Sequence, residues 1–344
     1  MKLRPIYFIF LVSLFSYSCE TSPREEVNPA FYYWKTHVTL SETEREYVTD
    51  LGVKKLYIKF FDVDWQNNAA VPLASATFDK DSLPSVEIIP TVFITNRTLL
   101  NTHSSELQAL ADKIGAKLKR LTKKLPDHSI REWQFDCDWS GKTRDKYFEL
   151  LHWLRKQVDS PNFSLSATIR LHQIKYFEKT GVPPVDRGML MFYNMDNVKR
   201  FDTRNSILDI EVAKKYLVNF DSYPLELDIA LPIFSWGVVK RNGKMVFLIN
   251  NLTTADVQDT SRFVQTDARH TQVIKSTYVD GYYLYKDDII RVEQVPIEAL
   301  QESAILLNKR IQTEKLSVAF YHLDQKTIKS YPHEKLENIC THFY

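Results

Sequence analysis

The alternation of apolar and polar residues is most regular between Glu132 and Trp139. A period of two is the pattern of a strand whose two faces meet different environments. The apolar positions are Trp133, Phe135, Cys137 and Trp139, and the polar ones are Glu132, Gln134, Asp136 and Asp138. We therefore predict a strand over 132–139. Its apolar face should pack against helices, and its carboxylates should point into the space that the strands enclose.

The spacing changes to that of a helix directly after this strand. Thr143 stands where an N-cap residue belongs, and the apolar residues after it recur on one helical face. That face consists of Tyr147, Leu150, Leu151 and Leu154. A strand followed by a helix is half of a βαβ unit, so the stretch predicts an α/β fold.

Strand-like and helical patterns alternate along the rest of the chain. The strand-like segments are 31–37, 55–64, 86–94, 132–139, 163–170, 188–194, 225–236 and 316–324. The helical segments are 41–51, 105–125, 143–158, 171–179, 207–218, 296–310 and 333–343, and 66–85 is a long loop. Eight strands that alternate with helices predict a (β/α)8 TIM barrel over 29–344.

One long segment, 238–294, separates the seventh strand from its helix. Within it, 241–244 (Arg-Asn-Gly-Lys) is a hairpin signal, and 282–285 is rich in β-forming residues. We expect a small α+β insertion with antiparallel strands on the loop face of the barrel. A separate domain is the disfavoured alternative, because the last helix and strand of the barrel follow the segment.

The first residues have the pattern of a secretory signal. Lys2 and Arg4 precede an apolar run over 6–15, which is too short to span a bilayer as a stable helix. Ser-Tyr-Ser-Cys at 16–19 resembles the end of a bacterial lipobox, in which the cysteine is lipidated and becomes the mature N-terminus.

These features predict a lipoprotein signal peptide over 1–19, lipidation of Cys19 and a polar tether over 20–28. The protein is then expected in the bacterial cell envelope, attached to the membrane through its lipid anchor. An ordinary signal peptide with an incidental Cys19 is the alternative.

Composition narrows the classes of function. The 344-residue chain is 44% hydrophobic and 13% aromatic, which is ample for a large core. The formal net charge is +2 and no basic tract stands out, so we do not expect a nucleic-acid partner. Cys137 and Cys340 have no neighbours at metal-ligand spacing and are expected to be buried thiols. We therefore predict neither a metal nor a cofactor.

Candidate site residues are those at the ends of the predicted strands, because TIM barrels place their active sites there. These ends supply Tyr33, Asp62, Asp64, Asp136, Asp138, Arg170, Tyr193, Asn194, Trp236, Tyr321 and Asp324. Carboxylates with aromatic rings indicate a sugar site, since rings stack on pyranoses and paired acids transfer glycosidic protons. We assign catalysis to Asp136, Asp138 and Tyr193, and substrate binding to Tyr33, Asp64, Arg170, Asn194 and Trp236.

The paired acids also carry an electrostatic expectation. Burial and mutual repulsion should raise the pKa of at least one of Asp136 and Asp138. Arg170, at the end of the neighbouring strand, can offset part of this by pairing with them.

The order of these motifs resembles that of the chitinase-like family-18 glycoside hydrolases, in a divergent bacterial lipoprotein branch. Residues 133–140 fall on the fourth-strand frame Asp-x-x-Asp-x-Asp-x-Glu, with Asp136 and Asp138 at its second and third acids. Residues 191–194 resemble the sixth-strand Met-x-Tyr-Asp, and 230–234 resemble the seventh strand. The resemblance covers most of 29–344 and implies a glycoside hydrolase that acts on a poly- or oligosaccharide.

Three positions depart from the family pattern. Trp133 replaces the first acid of the frame, Asn194 replaces the sixth-strand Asp, and Ser140 replaces the Glu that serves the family as general acid. A serine hydroxyl cannot deliver a proton near neutral pH.

Several interpretations therefore stay open. Asp138 could work with another acid such as Asp64 or Asp324, which would give an unusual glycosidase. Alternatively the barrel binds a glycan without cleaving it, or it is an envelope scaffold whose acids are only satisfied polar groups.

Overall fold

The computed structural model describes residues 24–125, 130–158 and 160–344. Eight parallel strands close into a barrel there, because each pairs with the next barrel strand and the last pairs with the first. The barrel strands are β1 (Glu26–Tyr33), β2 (Lys55–Gln66), β3 (Glu87–Ile94), β4 (Glu132–Asp136), β5 (Ser164–Arg170), β6 (Arg187–Met191), β7 (Leu227–Pro232) and β8 (Lys315–Tyr321). The predicted (β/α)8 TIM barrel is confirmed.

Helices follow most of the strands. They are α1 (Glu42–Asp50), α2 (Asn96–Asn101), α3 (Leu107–Thr122), α4 (Arg144–Arg155), α5 (Leu171–Lys175), α6 (Phe177–Thr180), α7 (Ile210–Lys214), α8 (Ile297–Asn308), α9 (Gln325–Ile328) and α10 (His333–Thr341). Every predicted helix is present, although two are broken. The 171–179 region splits into α5 and α6 at Tyr176, and the 207–218 region forms α7 and a 3-10 helix at Leu217–Ser222. Within the described residues, no helix has the length and apolar composition needed to cross a bilayer.

The faces of β4 are arranged as the alternation predicts. On the outer face, the Trp133 ring packs on Phe163 with centroids 5.3 Å apart. The strand ends at Asp136, three residues before its predicted end, and beyond it Trp139 stacks on Tyr147 of α4 at 5.1 Å. On the inner face, Gln134 accepts a hydrogen bond from the Tyr32 hydroxyl at 2.7 Å. The polar side chains of β4 therefore occupy the barrel interior.

The last three residues of the predicted tether over 20–28 belong to the first strand of the barrel. Strand β1 begins at Glu26, which pairs with Lys315 of β8, and Val27 is only 6% exposed. The backbone N–H and C=O groups of β8 need hydrogen-bond partners at the edge that faces β1. Residues 26–28 supply these partners and are therefore in a strand, although the sequence pattern predicted a tether there. Residues 1–23, including the predicted signal peptide and Cys19, lie outside the described residues.

The predicted loop over 66–85 contains a strand as well. Ala69–Leu73 runs antiparallel to the extended end of β2, with Gln66 opposite Ala69. The two residues between them, Asn67 and Asn68, have φ values of 50° and 59°. Asparagine tolerates this left-handed conformation, so the Asn-Asn pair makes a tight hairpin that the sequence pattern did not reveal.

The insertion after β7 is an antiparallel sheet with its own apolar core. Its five strands are Trp236–Arg241, Lys244–Asn250, Phe263–Gln265, His270–Val273 and Ile289–Glu293. The predicted hairpin at Asn242-Gly243 joins the first two strands. A smaller hairpin pairs Thr277–Val279 with Tyr282–Leu284, and the helical part is a single 3-10 turn at Thr254–Val257.

Gly188 of β6 offers a test of the packing around the barrel. A Cβ atom there would lie 2.6 Å from Leu227 Cδ2 and 2.9 Å from Ile169 Cγ1. We expect Gly188→Ala to lower the free energy of unfolding by about 1–3 kcal/mol, because the core must move to accept the methyl group. Chemical denaturation measures this change.

Gly141→Ala is the matched control. A Cβ atom at Gly141 would lie 4.0 Å from its nearest neighbour, a carbonyl oxygen, so this variant should stay within ~0.5 kcal/mol of the wild type. Equal effects of the two substitutions would contradict the described packing of β6 between β5 and β7.

Candidate functional site

A cavity of about 480 Å³ opens at the C-terminal ends of the barrel strands, and we call it the mouth. TIM barrels bind their ligands at this end. Seven candidate site residues line the mouth: Asp136, Asp138, Arg170, Tyr193, Asn194, Trp236 and Tyr321. The other residues that line it are Trp34, Phe93, Met191, Phe234, Ser235, Asn250, Asn251 and His322.

Asp136 lies inside the barrel at the base of the mouth. It is 5% exposed and accepts a hydrogen bond of 2.6 Å from Thr168 of the adjacent strand β5. Burial raises the pKa of the Asp136 carboxyl, Arg170 opposes this shift, and the charge of Asp138 adds to it. The expected rise in the pKa of one of the two acids is thus found at Asp136.

Arg170 ends β5 and joins the two acids. Its Nε donates to the Asp138 carboxylate, and its Nη2 lies 3.6 Å from Asp136 Oδ1. Burial alone would lower the pKa of Arg170, but Asp136 and Asp138 together raise it above its ordinary value. The predicted pairing of Arg170 is confirmed, and the guanidinium remains charged between two carboxylates.

Hydrogen bonds to the start of helix α4 and to Thr180 fix the turn after Asp138. The backbone N–H of Ser140 donates to Thr143 Oγ1 at 2.9 Å, and its carbonyl accepts the N–H groups of Thr143 and Arg144. Trp139 donates its indole N–H to the Thr180 carbonyl at 2.9 Å. The position of the family's general acid is therefore occupied by a serine that belongs to a helix-initiating turn.

Aromatic rings form the floor and one wall of the mouth. The Tyr321 ring lies 5.3 Å from Tyr193, 5.8 Å from Phe234 and 5.8 Å from Trp34. Trp236 continues this cluster 5.2 Å from Phe234, and its indole N–H is fixed by Glu293 of the insertion at 2.8 Å. Such rings offer broad apolar faces with polar edges.

Tyr193, the third residue predicted to be catalytic, lines the mouth. Its hydroxyl donates to Met191 Sδ at 3.1 Å, and burial raises its pKa. Its ring lies 6.0 Å from the guanidinium of Arg170. The geometry therefore makes Tyr193 part of the aromatic floor, with its hydroxyl bound to a sulfur atom.

Tyr33 does not reach the mouth. Its hydroxyl donates to the Thr39 carbonyl at 2.8 Å, and Lys35 Nζ lies 5.2 Å from its ring centroid. Because side chains alternate along β1 and into the residue that follows it, Tyr32 and Trp34 face the barrel axis, and Tyr33 faces the outside.

Asp64 also lies apart from the mouth. It pairs with Arg97 and accepts a hydrogen bond of 2.8 Å from Thr95, the N-cap of α2. The hydrogen bonds from Arg97 and Thr95 hold the pKa of Asp64 below its ordinary range. Its acceptor groups are used within the protein, and it does not line the mouth with the other predicted site residues.

Asp324, the other acid considered as a partner for Asp138, has a structural role too. Its carboxylate accepts a hydrogen bond from the backbone N–H of Lys326, as the N-cap of α9, and forms an ion pair with Lys35 at 2.9 Å. Asp62 pairs with Lys59 at 3.4 Å, and its charge contributes to the raised pKa of Asp136.

Several mouth residues were missed by the analysis of strand ends. Trp34 could have been found from the alternation in β1, which turns it to the same side as Tyr32. Asn250 and Asn251 belong to the insertion, and no local pattern indicates that their strand returns to the mouth. Among residues 24–125, 130–158 and 160–344, no three His, Cys, Asp or Glu side chains are grouped to hold a metal ion.

The fold resembles that of several solved structures. A spore cortex-lytic enzyme, SleL from Bacillus cereus, superposes with a TM-score of 0.57 at 12% identity, over 94% of this chain and 75% of that one. A chitinase from Chromobacterium violaceum gives 0.52 at 11% identity, over 90% and 98%. The GH18 chitinase ChiB from the chitin utilization locus of Flavobacterium johnsoniae gives 0.52 at 11% identity, over 92% and 94%.

No protein-family model matches the sequence, and no curated protein matches it either. The structural neighbours nevertheless confirm the resemblance to family-18 glycoside hydrolases at the level of the fold. The chain forms a divergent, glycoside-hydrolase-like barrel.

The raised pKa of Asp136 predicts a pH-dependent effect on stability. A carboxyl whose folded pKa is raised stabilises the fold below its unfolded pKa of about 3.9, and this contribution is lost as the pH rises through the folded pKa. Asp136→Asn cannot ionise, so its free energy of unfolding relative to wild type should increase from pH 4 to pH 7. Urea denaturation at both pH values measures this trend.

Asp324→Asn is a control for which the pH trend in stability should be opposite. Although burial opposes it, the contact with Lys35 holds the pKa of Asp324 below its ordinary value. That contribution to stability is present above the unfolded pKa and is lost as the pH falls, so Asp324→Asn should be most destabilising near pH 7. The same pH trend in both variants would refute the assignment for Asp136.

Proposed function

We propose that this protein is a cell-envelope lipoprotein whose barrel mouth binds a glycan without hydrolysing it. The observation that carries the proposal is the pairing of both mouth carboxylates with Arg170, beside an aromatic floor and a serine at the general-acid position. This combination offers a surface for a sugar, and the residue at the general-acid position cannot deliver a proton.

The aromatic cluster supports a saccharide as the ligand. Tyr321, Phe234 and Trp236 place ring faces around a cavity that also contains the amide of Asn250 and the exposed Asn194. A pyranose has apolar C–H faces and polar hydroxyl edges, so rings and amides in one cavity suit both parts. The solved neighbours that are named as chitinases and a cortex-lytic enzyme point to the same ligand class.

The state of the acids argues against hydrolysis. Most glycoside hydrolases use a carboxylic acid that protonates the leaving oxygen and a second carboxylate about 5–9 Å away, whereas substrate-assisted family-18 enzymes need the acid but no second carboxylate as nucleophile. Asp138 is ion-paired with Arg170, and Asp136 is buried beneath the same guanidinium. Asp64 and Asp324, the partners considered for Asp138, are held by Arg97 and Lys35.

An open aromatic cavity also favours binding over a purely structural role. Asp138 keeps 54% of its side chain exposed at the rim of the mouth. In a purely structural role, we would expect the carboxylate to be buried with its partners and the aromatic rings to pack without a cavity between them.

The proposed anchor implies an orientation for the mouth. Arg24 is fixed at the opposite end of the barrel, where its Nε donates to the Thr313 carbonyl at 3.1 Å. Arg24 follows Cys19 by five positions in the sequence, which is at most about 18 Å of extended chain. With Cys19 lipidated, the N-terminal ends of the strands would lie close to the membrane and the mouth would face away from it.

Calorimetry with N-acetylglucosamine oligomers and a panel of other oligosaccharides tests binding at the mouth. We expect a wild-type complex with at least one of them, and about tenfold or greater loss of affinity in Trp236→Ala, because a central stacking face is removed. Trp153→Ala is the control, since Trp153 lies on α4 beside Lys156 and does not line the mouth.

Thermal unfolding of both variants verifies that the fold is retained. Absence of binding to every sugar, or an equal loss in both tryptophan variants, would contradict a glycan site at the mouth.

Fractionation of cells that express the full chain tests the anchor. The wild type should be recovered with membranes, and Cys19→Ala should be released or remain unprocessed, because the lipidated thiol is lost. Unchanged membrane association of Cys19→Ala would exclude the lipobox interpretation.

A further inference from the structure

A second cavity of about 350 Å³ lies between the insertion and the chain that follows β8, and we call it the seam. Ser235 and Asn251 line both the seam and the mouth, so the two cavities adjoin along the segment that leads from β7 into the insertion. On the far side, Asp280 of the small hairpin pairs with Lys326 of α9 at 3.1 Å.

Six of the fourteen residues that line the seam are Ser, Thr, Asn or Gln, whose uncharged side chains donate and accept hydrogen bonds. These are Ser235, Asn251, Thr253, Gln294, Thr327 and Ser330. Thr327 is 6% exposed, yet its hydroxyl has no hydrogen-bond partner among the described residues. Buried hydroxyls are normally paired, so an unpaired one in the wall of a cavity indicates a place for a ligand group.

The charges around the seam balance. Asp280 and Lys326 neutralise each other, Asp256 accepts the N–H and hydroxyl of Thr253, and Lys329 is the remaining cation. A cleft that selects ions is lined by one sign of charge. The seam therefore suits a neutral ligand that is rich in hydroxyl and amide groups.

We propose that the seam is a second saccharide subsite, so that the ligand is a neutral oligosaccharide that extends from the mouth past Ser235 into the seam. This inference rests on the proposed function of the mouth. The mouth supplies stacking faces, and the seam supplies hydrogen bonds to a sugar unit further along the same chain.

If the ligand occupies both cavities, its affinity should depend on its length in two steps. Short N-acetylglucosamine oligomers should fill the mouth alone, and affinity should increase again when the oligomer is long enough to enter the seam. Calorimetry across oligomers of two to six units measures this second increase.

Two variants test the seam without altering the mouth. Ser330→Trp introduces a large ring at an exposed position on the seam and should remove the second increase while leaving short-oligomer affinity unchanged. Thr327→Val keeps the shape and deletes the unpaired hydroxyl, and it should weaken only the long oligomers, by about two- to tenfold.

Ser222→Trp is the matched control. Ser222 is exposed and precedes β7 at the opposite end of the barrel, so this variant should bind oligomers of every length as the wild type does. Binding of short oligomers with no second increase, or a second increase that both seam variants retain, would overturn the seam proposal and leave the mouth intact. Failure of every oligomer and panel sugar to bind would instead overturn the proposed function.

Discussion

The guanidinium of Arg170 lies between the carboxylates of Asp136 and Asp138, and the chemistry of the mouth depends on this contact. Asp136 is placed inside the barrel by β4, where an uncompensated carboxylate would be costly to bury. Arg170 supplies the opposite charge from β5, and the same cation holds Asp138 at the rim. In our proposal the two acids therefore orient a cation and present acceptor oxygens, and the ligand is recognised without proton transfer.

Much of this arrangement follows from one sequence pattern. The alternation over 132–139 predicted which face of β4 packs on helices and which carries Asp136 into the barrel, because side chains of a strand point to opposite sides in turn. The eight strand patterns predicted the closed barrel. Once the barrel is known, the ends of its strands converge, and this brings Asp138, Arg170, Tyr193 and Trp236 to one cavity.

The predictions that the structure does not match differ from it for specific reasons. Tyr33 was chosen for its place at a strand end, whereas the alternation of β1 turns Trp34 to the mouth. Asp64 forms an ion pair with Arg97 of α2, a short helix that the sequence pattern did not predict. Asn251 reaches the mouth through the path of the insertion, which depends on tertiary packing. The seam arises in the same way, since it is formed by segments that are distant in the sequence.

The most direct test of binding without hydrolysis examines bound and cleaved sugar in the same sample. An oligosaccharide that binds by calorimetry is incubated at length with wild type and with Asp138→Asn, and mass spectrometry follows the length of the sugar chain. We predict that wild type binds the oligosaccharide and leaves its length unchanged, as Asp138→Asn does. Shortened products that appear with wild type and disappear with Asp138→Asn would contradict the account, because Asp138 would then be a catalytic acid despite its ion pair with Arg170.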